Sequence, residues 1–292
     1  MSVFANAAVV SQKQPRRVSL WSRLLRRHDR GLSKRVRRET AARFSQLLAE
    51  DPVVHVPAFR GRFAIDPRSE LFRLLIVDGA YEATLAHLCV ELLDTHRDAI
   101  DVGANVGFFT VLLAQSLQNR RVLAVEPTLH ALARLRRNLD LNGVAEQTIL
   151  FPGAALDQTG QTTIVTIEGQ EEYSSLNAIV HPSVAAAPRL LERVAVATLD
   201  ELVKQHDLNP GFIKIDVEGA ELGVLRGAAE TLQRCRPILL CELSSCLLAA
   251  HKSSVTEILA LLDRHNYVVL DAEDAACPVG SRPFGNMVAR PR

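Results

Sequence analysis

One tryptophan, three tyrosines and ten phenylalanines in 292 residues leave aromatic side chains at 5% of the chain. No spaced aromatic set is present on which successive nucleic-acid bases could stack. Long apolar runs are missing as well, and nothing approaches the roughly 20 residues that a membrane-spanning helix needs. The five cysteines, Cys89, Cys235, Cys241, Cys246 and Cys277, form no C-x-x-C pair. An odd count without metal-ligand spacing fits reduced, mostly buried thiols in a cytoplasmic setting. The opening "MSVFANAAVV" places its apolar stretch before the charges, the wrong order for a secretory signal. Internal repeats and low-complexity segments are also missing.

Charge of one sign is lacking only on average. The net charge is +1, yet residues 1–38 hold eleven Lys or Arg against one acid. The remainder is therefore mildly acidic, by roughly nine charges. We expect a basic, flexible extension over 1–38, which reads first as a solvated tail. An organelle presequence or a helix lying on an anionic membrane are the alternatives. A helical and hairpin cap region is expected over 39–96, and a catalytic domain over 97–292 with an inserted loop and strand region at about 158–198. Apolar residues at 48% are enough to fill a large core.

What is present is an alternation of patterns. "TAARFSQLLAE" (Thr40–Glu50) is helical, Val53 to Ile65 reads as a small hairpin, and "ELFRLLIVDGAYEATLAHLCVELLD" as a helical segment interrupted near Asp78-Gly79. Apolar runs then end at Val102, Val125 and about Pro152, separated by the helical patterns "FFTVLLAQSL" and "HALARLRRNLDLNG", the latter stopped by Asn142-Gly143. "TTIVTIE" and "RVAVATL" (Arg193–Leu199) read as two extra strands. The alternation resumes with "FIKIDVEG", one helix "AELGVLRGAAETLQRC", "PILLCEL", a helix from Val255 to His265, "YVVLDA" and a last strand in "GNMVARP" with no helix before it. Such alternation predicts an α/β fold: a seven-stranded, mostly parallel sheet, helices on both faces and an antiparallel last strand.

The stretch "AIDVGANVGFFT" (Ala99–Thr110) sits at a strand-to-helix turn. Gly103 and Gly107 allow a backbone turn there, and unpaired helix N–H groups could meet a ligand. Glu126 ends the next strand about 20 residues on, where a carboxylate can accept both hydrogen bonds of a ribose diol. The spacing D-x-G-x-N-x-G is not the G-x-G-x-x-G of a dinucleotide site. Asp101 would repel a pyrophosphate but suits the sulfonium and ammonium of S-adenosylmethionine.

Four stretches together resemble the FkbM-like family of S-adenosylmethionine-dependent methyltransferases. They are "AIDVGANVGFFT", "VLAVEP" with "LRRNLDLNG", "VATLDEL", and "FIKIDVEGAELGVLRGA". The ending "NMVAR" and the upstream "GAYE" (Gly79–Glu82) agree, and the likeness runs from about Leu71 to Arg290. It implies a Rossmann-like methyltransferase fold with S-adenosylmethionine as cofactor, transferring methyl to a hydroxyl of a sugar, glycoconjugate or secondary metabolite. By position it implies that Gly103, Asn105 and Gly107 shape the pocket for the methionine part, Asp101 faces its charged end and Glu126 its ribose. It also implies that Ala155 or Asp157 in "GAALD" contacts adenine.

On the acceptor side the resemblance puts Asp216 and Glu218 near the methyl group, with Asp216 the first candidate for a general base or acceptor anchor. Glu218 is the second candidate; the alternative reading makes Glu218 and Glu221 first-turn acids favoured by the helix dipole. Strand alternation puts Lys214 beside Asp216, and a pair between them would make Asp216 an orienting group. Glu242, ending the next strand, is the third catalytic candidate. It could share a divalent metal with Asp216, but no third ligand is evident in the sequence and no metal is assigned. His181 and His251 are reserves.

The expected partner is a small hydroxylated acceptor. An acidic body and "IDVEG" at the strand end disfavour nucleic acid, while the basic leader could touch an anionic membrane. The rival readings are a metal-assisted or nucleic-acid methyltransferase, or a nonenzymatic membrane- or phosphate-binding protein. A nicotinamide dehydrogenase is the weakest.

Overall fold

The structure, a computed structural model, describes residues 50–167 and 189–292, with positions 39, 48 and 176 besides. The basic leader, nearly all of the helical pattern at 40–50, and the polar loop holding Tyr173, Ser174, Ser175, Asn177 and His181 lie outside the described residues.

A hairpin comes first, β1 (Val53–Val56) and β2 (Gly61–Ala64), followed by the helices α1 (Glu70–Asp78) and α2 (Ala83–Leu92). Ser69 caps α1 by accepting from the Phe72 N–H, and Gly79, at φ 73°, closes it. Then come β3 (Asp98–Val102), α3 (Phe108–Ser116), β4 (Val122–Val125), α4 (Leu129–Leu141) and β5 (Thr148–Phe151). After β6 (Gly153–Ala155), β7 (Gly160–Thr166) and β8 (Leu190–Ala197), the chain continues through α5 (Leu199–Gln205) and β9 (Pro210–Ile215). It ends with α6 (Glu221–Arg226), α7 (Ala229–Arg234), β10 (Ile238–Ser244), α8 (Ser245–Ala250), α9 (Val255–Arg264), β11 (Tyr267–Asp271) and β12 (Phe284–Pro291).

Seven strands form one sheet in the order β11-β12-β10-β9-β3-β4-β5, parallel except for β12, which runs antiparallel to both neighbours. Every residue of β3, β4 and β9 is buried. Helices cover both faces, which is why these strands read as unbroken apolar runs rather than as alternating ones. Along β3, Ala99 packs toward the hairpin, α2, α3 and α4, whereas Ile100 and Val102 pack toward α5, α6 and α9. The chain leaves β3 toward β4 on one side and later returns to β9 on the other. The sheet therefore has its topological switch point between β3 and β9, the place where open α/β sheets bind ligands.

Two asparagines at i, i+4 on α4 hold the hairpin to this body. Asn138 accepts from the Ala64 N–H and donates to the carbonyls of Ala64 and Val106; Asn142 accepts from the Arg62 N–H and donates to the Arg62 carbonyl. Side-chain amides thus satisfy the free edge of β2, doing for alternate residues what a third strand would do. Arg134, one turn earlier, bridges Asp51 and Asp66.

Three boundaries differ from the sequence reading. The run Arg193–Leu199 stops being strand at Ala197, because Thr198 accepts from the Glu201 N–H and Glu201 returns the bond, a capping box that starts α5. The stretch after Ala220 is two short helices. Gly227 packs so tightly that a Cβ there would lie 2.0 Å from the Leu156 carbonyl oxygen, and the helix breaks at that contact. The two extra strands are joined by β6 in a separate three-stranded sheet, β6-β8-β7. Among the described residues no helix is long and apolar enough to cross a membrane. The described cysteines are all free thiols, and Cys89, Cys235 and Cys241 are buried.

Candidate active site

A cavity of about 290 Å³ opens at the C-terminal ends of β3, β4, β9 and β10, on the switch point. Its lining includes Gly103, Ala104, Asn105, Glu126, Ala154 and Ala155 from the ends of β3 and β4 and from β6, and Tyr81, Glu82, Lys214, Asp216, Glu218 and Glu242 from the turn before α2 and the ends of β9 and β10. Leu71 and Leu74 of α1 contribute to its wall, with Ile164, Leu176 and Phe284.

The glycine loop is built inward. The N–H groups of Gly103 and Ala104 both donate to the Val125 carbonyl, and the Asn105 N–H donates to Oε2 of Glu126 at 2.8 Å. These amides are spent on β4 and are not free for a ligand as expected. What the loop offers instead is the Asn105 side chain. Its Oδ1 is buried without a hydrogen-bond partner, on a residue held at φ 48°. Gly103 is required by packing: at φ 82°, a Cβ would lie 1.8 Å from the Asp216 carbonyl oxygen. Gly107, at φ 94°, precedes α3 and lies against Leu135 rather than on the cavity wall.

Glu126 lines the cavity while 5% exposed. Its Oε1 accepts from the Thr128 N–H and hydroxyl, each at 2.8 Å. With the Asn105 bond, three of its roughly four lone-pair sites are filled, which leaves one on Oε2 for a ribose hydroxyl rather than the two expected. Burial pushes its pKa up to about 7 against these bonds. Ala155 lines the cavity, but Asp157 is exposed and outside it, because the chain turns away after β6 to pack Leu156 against Gly227. The structure therefore does not bring Asp157 to the cavity, as the sequence reading expected of an adenine contact.

Asp101 does not line the cavity either. It is fully buried beneath it, where Oδ2 accepts from the Thr110 hydroxyl at 2.6 Å and Oδ1 lies 3.9 Å from Lys214 Nζ. Its influence on a ligand is electrostatic, through Lys214. Lys214 Nζ sits 3.0 Å from Asp216 Oδ2 and 4.6 Å from the centre of the Phe109 ring. Burial works against its charge, but Asp216, Asp101 and Glu82 together raise its pKa. Phe109 belongs to an aromatic cluster with Phe59, Phe63, Phe108 and Tyr81 that fills the space between the hairpin and α3.

Asp216, Glu218 and Glu242 converge, each offering an oxygen within 4.8 Å of the others. Glu218, at φ 50°, is the third carboxylate that spacing alone did not provide, and the three together could hold a divalent cation. Burial, followed by repulsion from Asp216, Glu218 and Glu82, pushes Glu242 up to about 10. Glu221 has the structural role: 2% exposed in the first turn of α6, it accepts from the Gly219 N–H. Gly219, at φ 103°, packs on Leu247 and His251, which places His251 behind the turn and away from the cavity wall.

Sequence reasoning passed over Glu82 and Tyr81 as site residues, although "GAYE" contains both. Glu82 stands at φ 38° with Oε2 buried and unpartnered, and burial pushes its pKa up to about 7. Asn105, Glu82 and Glu218 are all non-glycine residues with positive φ on the cavity wall. Backbone strain of this kind gathers at functional sites, but nothing in the residue types announces it.

The family described as "Methyltransferase FkbM domain" matches residues 101–269, more than half of the chain. Hexuronic acid methyltransferase AglP of Haloferax volcanii is 24% identical over 201 residues, covering 67% of this chain and 73% of that protein. Methyltransferase 1 of Beauveria bassiana is 25% identical over 142 residues, 44% of this chain and 57% of its own. Among solved structures, methyltransferase FkbM from Methylobacillus flagellatus matches with a TM-score of 0.44 and 19% identity, over 68% of this chain and 45% of that one. The chain belongs to the FkbM methyltransferase family and is a methyltransferase.

Proposed function

We propose that the protein transfers a methyl group from S-adenosylmethionine to a hydroxyl of a small polar acceptor, a sugar, glycoconjugate or secondary metabolite. The observation that carries this reading is one cavity that gathers two sets of groups. The loop after β3 and the end of β4 bring Asn105 Oδ1 and the last free site of Glu126; the ends of β9 and β10 bring the carboxylates around Lys214.

The cofactor-facing residues fit the group. Asn105 Oδ1, a buried acceptor without a donor, suits the methionine ammonium. Glu126 Oε2 would take one ribose hydroxyl, and the small walls at Ala154 and Ala155 leave room for a flat ring. When bound, S-adenosylmethionine supplies an electrophilic methyl on a sulfonium. The chain's own part is then placement. Asp216 Oδ2 is held by Lys214, so its Oδ1 is left to accept the hydrogen of the reacting hydroxyl and fix its direction. Burial and the neighbouring acids bias Glu242 toward its protonated form, in which it can donate, and Glu218 completes the acceptor wall.

Lys214 is the one cation lining the cavity among the described residues and is already paired, which favours an uncharged polyol over a phosphate-rich nucleic acid. The relative named hexuronic acid methyltransferase supports a sugar acceptor in general; its sugar carries a carboxylate, which the acids of this cavity disfavour here. Incubation with S-adenosylmethionine tritiated in the methyl group and a panel of sugars and polyols tests the reading. An alkali-stable methyl ether supports it; label only in amines or alkali-labile esters contradicts it. A second reading, metal-assisted transfer, is favoured by the convergence of Asp216, Glu218 and Glu242. Loss of turnover in a chelator, restored by magnesium, would establish that variant. Turnover that survives deletion of residues 1–38 would exclude a protein that acts only through its basic leader.

A further inference from the structure

Glu82 needs an explanation that the cofactor loop and the strand-end acids do not supply. It occupies the turn between α1 and α2 in the left-handed region, φ 38° and ψ 36°, immediately before α2, and its side chain does not cap that helix. A non-glycine residue is retained in such a conformation only where the surroundings over-determine it. Here the neighbouring Tyr81 does so. Its ring packs 5.6 Å from Phe108 and 6.3 Å from Phe59, and its side chain hydrogen-bonds the Glu82 carboxyl group.

The result is a carboxyl group carried on to the cavity wall, held by Tyr81 yet with Oε2 buried and making no hydrogen bond. A buried acceptor left unpaired is costly, so a group that arrives with a hydrogen to donate is favoured there. The protein has no cation to spare for it. Lys214, the cation of this cavity among the described residues, sits on Asp216 and near Asp101. An acceptor bearing a carboxylate or phosphate here would face Glu82, Asp216, Glu218 and Glu242 without a free counter-charge.

We infer that Glu82 is an acceptor-selecting residue: its Oε2 receives a hydrogen from a hydroxyl or ammonium group beside the methylated position. The cavity is thereby tuned to neutral polyols and aminated sugars. This deepens the O-methyltransferase reading and rests on it.

Sinefungin, an S-adenosylhomocysteine analogue with a primary amine at the position of the methyl group, tests the inference without an identified acceptor. Both nucleosides are titrated calorimetrically into the full chain and into Glu82→Gln and Glu82→Gly. The wild type should bind the amine analogue about tenfold more tightly than S-adenosylhomocysteine, a charge-assisted hydrogen bond's worth. Both variants should lose most of that preference while holding S-adenosylhomocysteine within about twofold of the wild type. Glycine adopts the left-handed turn freely, so Glu82→Gly separates loss of the carboxylate from loss of the fold. An undiminished preference in both variants, or none in the wild type, overturns the assignment. Failure of the wild type to bind either nucleoside is a different result: it removes the cofactor reading itself.

Discussion

The Asn105 N–H donates to Oε2 of Glu126 across 2.8 Å, joining the loop after β3 to the acid that ends β4. Glu126 is thus a strut of the loop as well as the ribose contact proposed above. Glu126→Ala should weaken S-adenosylhomocysteine binding at least about a hundredfold, more than one ribose hydrogen bond is worth, because the loop loses its anchor too. Glu126→Gln keeps one acceptor oxygen and should lose only about tenfold. Equal losses in calorimetric titration would mean that the loop does not depend on the strut.

Glycine at 103 and glycine at 107 should behave differently. A methyl at 103 meets backbone, the Asp216 carbonyl at 1.8 Å, whereas at 107 it meets the end of a leucine side chain, Leu135 Cδ1 at 2.5 Å. Both replacements are strained at positive φ, but only Leu135 can move aside. Gly103→Ala should cost about 3 kcal/mol or more in urea unfolding and Gly107→Ala about 1–2 kcal/mol. The reverse order would refute the packing argument.

The protein should be less stable at neutral pH than in mild acid. Glu82, Glu126 and Glu221 have folded pKa values near 7, above their ordinary 4.5, and Glu242 is near 10. Burial is the leading cause in each. Their contribution is full below pH 4.5 and is lost as pH rises through the folded values. Asp101, raised from 3.8 by its burial, adds to these four, while half-buried His251, depressed from 6.5, works the other way below that pH, one group against five. Asp66 and Asp271, both lowered from 3.8, act below this window. The urea midpoint should therefore fall between about pH 5.5 and pH 8, by an amount equivalent to several kcal/mol, and Glu221→Gln should flatten the change. A midpoint that rises over this range would contradict the burial of these acids.

Much of the fold was legible because periodicity reports burial. The runs ending at Val102 and Val125, and the helix-free approach to β12, place the sheet and its reversed strand. Gly227 misled because its contact with Leu156 is about 70 positions away in sequence, where no local pattern reaches. Asp101 suggested a cofactor contact by its charge at a strand end, and Asp157 by its place in the turn after the third strand, yet the pleat sends one beneath the cavity and a turn carries the other outside. Lys214 beside Asp216 was legible because alternation along a strand is local. Glu82 was not, since its importance lies in a backbone conformation and an empty acceptor. Asn138 and Asn142 looked like helix residues and a helix stop; that they serve a strand edge depends on where the hairpin docks.

The central claim is that this cavity is a S-adenosylmethionine site, and the most direct measurement is calorimetric titration of the full chain with S-adenosylmethionine, S-adenosylhomocysteine and NAD. The account predicts micromolar binding of the two sulfur nucleosides and none of NAD. Binding of NAD in their place, or of neither sulfur nucleoside by a folded sample, would contradict it.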